Sequence, residues 1–116
     1  MVTARLIVND KDRSLCLKVK GHAKQAEIGH DIICASASIL TYTVAQIVTD
    51  MKEKAQLDKE PTIVLNSGDA TVSCICKDDN GYADALNAYY VAMVGYQLLA
   101  HNYPQFVEYK IVGEVE

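Results

Sequence analysis

SLCLKVKGHAKQAEIGHDIICASASIL, residues 14–40, changes its period half-way. Leu15, Leu17 and Val19 alternate with Cys16, Lys18 and Lys20, the spacing of a strand with one face in a core and the other in solvent. From Asp31 the apolar residues recur at helical intervals instead: Ile32, Ala35, Ile39, Tyr42, Ala45 or Gln46, then Thr49, running into the polar Lys52-Glu53-Lys54. The stretch therefore predicts a strand that passes through a glycine-bounded loop into one long helix.

The same two periods can be followed outward. Upstream, Thr3 to Val8 alternates weakly and Asn9-Asp10-Lys11-Asp12-Arg13 is turn-forming, so the chain is expected to open with a hairpin. Downstream, Pro61 breaks the pattern, and Thr62 to Asn66 and Thr71 to Cys76 flank the short connection Ser67-Gly68-Asp69. Asp78-Asp79-Asn80-Gly81 offers helix caps before a second long helix, Tyr82 to Ala100, whose stripe is Ala85, Ala88, Tyr89, Ala92, Met93, Tyr96 and Leu99. Pro104 ends it, and Phe106 to Val112 alternates as a last strand. The predicted order is β-β-α-β-β-α-β, an α/β (α+β) fold with a mixed sheet and both helices packed on one face. Residues 1–116 are expected to form one domain, half of it apolar.

Fifteen acidic against eleven basic residues, a net charge of -4, oppose binding to a phosphate backbone, so nucleic acid is not an expected partner. Ile32 to Thr49 is uncharged but interrupted by Ser36, Ser38, Thr41, Tyr42, Thr43 and Gln46, which argues against a membrane span. No basic-then-apolar leader opens the sequence, and the expected location is the cytoplasm, where the four cysteines are reduced thiols.

Asp31 is a natural N-cap, with Ile32, Ile33 and Cys34 as the first helical positions. A thiol there meets unpaired backbone N–H groups and the positive end of the helix dipole, both of which favour a thiolate over the free thiol that titrates near ~8.5. His22 follows the strand end, and the loop from Gly21 to Gly29 is able to fold it back beside the helix start. Cysteine and histidine in reach of one another are the minimal nucleophile and general base of acyl transfer. Asp31 has a second reading as the group that orients His22, and His30 is an alternative base. On spacing alone, a buried small thiol and a surface histidine fit these positions too.

The motifs carry more than the pair. GHA at Gly21 to Ala23, then Gly29, DIICAS at Asp31 to Ser36, Ser38 and Leu40 closely resemble the signature of the ribosomal-processing cysteine protease family, GHA, a spacer, then GxDIVCAAVSxL. The likeness extends over nearly the whole chain. It implies a cysteine endopeptidase that removes a short N-terminal extension from ribosomal protein L-twenty-seven, with His22 and Cys34 as the catalytic dyad. It also implies a homodimer with a mobile loop between the catalytic residues, and the sequence itself demands no metal or cofactor. Lys24 to Ile28 fits that lid, with Gly21 and Gly29 as hinges, Asp31 at the helix start and Ser38 beside the substrate. Two positions depart from the pattern: Ser36-Ala37 stands for the family's Ala-Val, and Ile33 for its valine. If Ser36 faces the cleft, the precursor differs, and a phage structural protein with a similar cleavage sequence is an alternative. A non-catalytic ribosome-associated binding protein is the rival from another class.

Cys74-Ile75-Cys76 places two sulfurs on one face of a strand with Val72, a pattern of burial more than of metal ligation. Cys16 falls on the polar face with Lys18 and Lys20, and His101 sits where it complements the end of the second helix.

Overall fold

The computed structural model describes residues 1–22 and 30–113. Strands β1 (Val2–Asn9) and β2 (Ser14–Lys20) form the opening hairpin, and helix α1 (His30–Glu53) follows. Strands β3 (Thr62–Asn66) and β4 (Asp69–Ile75), helix α2 (Asp79–Asn102) and strand β5 (Val107–Gly113) complete the order read from the sequence. The five strands make one sheet in the order β3-β4-β2-β1-β5. All neighbours are antiparallel except β1 and β5, which run parallel with Leu6 opposite Ile111.

Alternation decides which face of the sheet is covered. Ala4, Leu6, Leu15, Leu17, Val72 and Cys74 are buried under the helices, while Arg5 and Lys18 between them are exposed. On α2 the expected stripe is the buried one: Ala85, Tyr89, Ala92, Met93 and Tyr96 face the sheet. Its cap is Asp78, which accepts a 2.8 Å hydrogen bond from the Gly81 N–H. The Tyr82 hydroxyl donates to Asp10, tying the start of α2 to the β1–β2 turn.

Helix α1 corrects one expectation. Its buried side is Ile33, Ala37, Thr41, Val44, Ala45, Val48 and Met51, whereas Ile32 and Ile39 are 57% and 62% exposed and Tyr42 also faces out. Two interleaved rows of the helix have nearly the same 3.6-residue spacing, and the row with smaller side chains is the one that lies close to the sheet. By length and hydropathy Ile32–Glu53 is apolar enough to cross a membrane, yet one full side of it belongs to the core of this fold. The helix ends with Ala55 in the left-handed region, φ 58°, where the Ala55 and Gln56 amides close back on Lys52 and Met51. That is the position glycine usually fills, and an alanine there costs about 1 kcal/mol.

A buried polar knot joins the two helices. Tyr96 donates to the Ala37 carbonyl at 2.9 Å, and the Thr41 hydroxyl lies 2.6 Å from the Tyr96 oxygen and 2.9 Å from the same carbonyl. Every polar atom in it has a partner, which is the condition for placing hydroxyls in a core.

Candidate active site

β2 stops at Lys20, and Gly21 turns the chain with φ 93°, a conformation that suits glycine. The turn is pinned at both ends: the Gly21 N–H donates to the Gly68 carbonyl at 3.0 Å, and the Met1 ammonium donates to the His22 carbonyl at 2.7 Å. His22 is thereby held at the mouth of a cleft of about 230 Å³ between the first half of α1 and the β3–β4 turn. Gly21, His22, Cys34 and Ser38 all line this cleft, so four of the six residues singled out in the sequence come together there. Gly29, the other hinge, lies outside the described residues, as do Lys24 to Ile28 and the side chain of Asp31.

Cys34 is half-buried and packs against the core. Its position in the helix differs from expectation. α1 begins at His30, so Asp31 is inside the helical backbone and Cys34 is its fifth residue, past the four amides that a helix start leaves unpaired. An aspartate is favourable inside the first turn of a helix as well as at its cap, so the sequence does not stop the helix at Asp31, and α1 starts two residues before Ile32. Among the described residues no hydrogen bond links Cys34 to His22, although the two line one cleft.

The walls include residues that the sequence reading did not single out as part of a site. Thr41 and Tyr42 follow Cys34 and Ser38 at one and two helical turns, so the helical period was the available signal. Gly68 and Asp69 come from the β3–β4 turn, forty-six or more positions from His22 in sequence, and no local pattern announces them. Asp69 lies 3.8 Å from Lys20, a solvent-exposed pair across the β2–β4 ladder.

The other thiols are placed differently. Cys16 is on the outer face of β2, while Cys74 and Cys76 are buried, and none of the four is in a disulfide. Burial raises the Cys74 thiol above its usual range and pushes Cys76 up to about 12. Burial likewise raises the phenols of Tyr82 and Tyr89, with Tyr89 donating to the Val72 carbonyl at 3.0 Å. The sign of the consequence follows. These groups hold their protons in the folded chain and release them at lower pH once unfolded, so in alkali the unfolded chain binds fewer protons and stability falls as pH rises. The urea midpoint is expected to decline as the pH rises through the ordinary thiol range towards pH 12. A midpoint that stays level over this range would show that these groups are solvated in the native state.

A half-buried thiol and an imidazole facing one cleft, on a five-stranded sheet covered by two helices, are the elements of a thiol-dependent acyl-transfer site. The comparisons with known proteins agree: the family model for cysteine protease Prp matches residues 1–108, and the chain belongs to that family. A ribosomal processing cysteine protease Prp of Staphylococcus aureus is 40% identical to it over 42 residues. That match spans 36% of this chain and 40% of the relative's length. The fold is shared more widely. A crystal structure of S. aureus Prp with a covalently linked product peptide superposes with a TM-score of 0.68 at 21% identity, covering 96% of this chain and 99% of that one. A Streptococcus mutans crystal structure gives 0.66 at 23% identity, covering 98% of this chain and 96% of the other.

Proposed function

We propose that this protein is a cysteine endopeptidase that trims the N-terminal extension of a ribosomal protein precursor, L-twenty-seven, in the cytoplasm, with Cys34 and His22 as its dyad. The observation that carries the reading is that His22 and Cys34, twelve positions apart, line the same cleft. The S. aureus relatives named as ribosomal processing proteases, one of them solved with a substrate peptide, support the substrate class.

In this mechanism His22 takes the thiol proton as Cys34 Sγ bonds to the scissile carbonyl carbon. The tetrahedral intermediate collapses with cleavage of the C–N bond, and His22 delivers the proton to the leaving amine. Water, deprotonated by His22, then hydrolyses the thioester and returns Cys34 as a thiol. A second copy of the chain covers the apolar strip Val91, Val94 and Leu98 of α2 with Tyr109 and Ile111 of β5, all of which are exposed in the monomer.

Incubating the protein with a peptide copy of the precursor's N-terminal extension is expected to give one cut, read by mass spectrometry. An intact peptide together with a Cys34 that iodoacetamide modifies selectively would remove the ribosomal substrate and keep the peptidase. An intact peptide and an unreactive Cys34 would leave a binding protein.

A further inference from the structure

The β3–β4 turn comes close to His22 in a way that the proposed mechanism does not use. Gly68, with φ 73°, faces the imidazole so closely that a β-carbon there would stand 2.6 Å from Cε1 and overlap Nε2. The Gly21 N–H, one residue before His22, donates to the carbonyl of the same Gly68. Backbone and ring of the histidine segment therefore both rest on one glycine, which is fixed in turn by the antiparallel pairing of Asn66 with Asp69 on either side.

From these contacts we infer that Gly68 is a positioning residue for the dyad: the bare Cα of the β3–β4 turn is the platform that sets where the His22 imidazole stands relative to Cys34. The inference rests on the reading of His22 as the general base. The energetics favour a functional effect over a structural one. The atoms in the way of a side chain at position 68 are the far end of an exposed histidine, which swings aside at little cost to the fold. Proton transfer is less forgiving, because a misplacement of about 1 Å is enough to cost on the order of a hundredfold in rate. Two separate demands thus select glycine here. The left-handed backbone is one, and asparagine meets it nearly as well; the missing β-carbon is the other, and only glycine meets that.

Gly68→Asn and Gly68→Ala separate these demands. Asparagine tolerates the positive φ and alanine does so poorly, but both carry the β-carbon. The expected result is a fall in kcat of about 10- to 100-fold in both variants with KM little changed. The thermal midpoint of Gly68→Asn stays near that of the unmodified protein while that of Gly68→Ala drops. The pH profile of kcat shifts in Gly68→Asn, and the ring proton and carbon resonances of His22 move while those of His101 do not. Full activity in Gly68→Asn would overturn the inference, and so would a loss of activity with unmoved His22 resonances. Should the unmodified protein leave the peptide intact and its Cys34 prove unreactive, the protease reading fails by itself, and the His22 resonances of Gly68→Asn still decide whether the turn places the ring.

Discussion

Cys34→Ser is expected to abolish peptide cleavage, a loss on the order of a thousandfold or more, without a measurable change in thermal midpoint. The substitution exchanges one small side-chain atom at a half-buried position, so packing is nearly conserved. The nucleophile is not conserved, because a hydroxyl next to a single histidine is far harder to ionise than a thiol. His22→Ala is expected to lower turnover by about 100- to 10,000-fold, the range of one lost acid–base group. Brief labelling with iodoacetamide should mark Cys34 in the folded protein and spare Cys74 and Cys76, which are buried and whose thiols are raised. Turnover that survives in Cys34→Ser would exclude this residue as the nucleophile.

Tyr96→Ala is expected to destabilise the protein by about 3–5 kcal/mol, the cost of emptying a large aromatic site that does not collapse. Tyr96 is completely buried, and its hydroxyl is the link between α2 and the Ala37 carbonyl and Thr41 hydroxyl on α1. Tyr96→Phe divides the effect: the ring stays, Thr41 and Ala37 lose a partner, and about 1–2 kcal/mol should go. Denaturant unfolding of the two variants measures both quantities. Because Ala37 and Thr41 also line the cleft, Tyr96→Phe should lower activity as well as stability. Equal stability of Tyr96→Phe and the unmodified protein would mean that water replaces the phenol at this knot.

β2 and α2 were legible because each carries a repeating marker of its buried face. In β2 the lysines at 18 and 20 leave no choice of face, and in α2 the aromatic residues Tyr89 and Tyr96 align with Ala85, Ala92 and Met93. Helix α1 is apolar on more than one side, and Thr41 in the true core row reads as an interruption. What makes a threonine acceptable there is a tyrosine on another helix, fifty-five residues away, and no local period contains that. The site divides in the same manner. His22, Cys34 and Ser38 stand in one recognisable stretch, and Gly21 turns the chain just ahead of it. Gly68 looked like an ordinary hairpin glycine, because its second duty depends on a ring brought to it by the β2–β4 pairing.

The parallel seam between β1 and β5 sets a timetable. Thr3 donates to Glu108 across 105 positions, and the Val2 amide meets the Phe106 carbonyl at 2.7 Å, so the strand made first waits for the strand made last. Until then the outer edge of β1 is an open row of amides and carbonyls, and the large loop that must close makes this a late step in assembly. Met1, which donates to the His22 carbonyl, adjoins that same seam. A chain lacking residues 107–113 would hold β1 by β2 alone, so the sheet beside the cleft is closed only when these two sequence-distant strands have met.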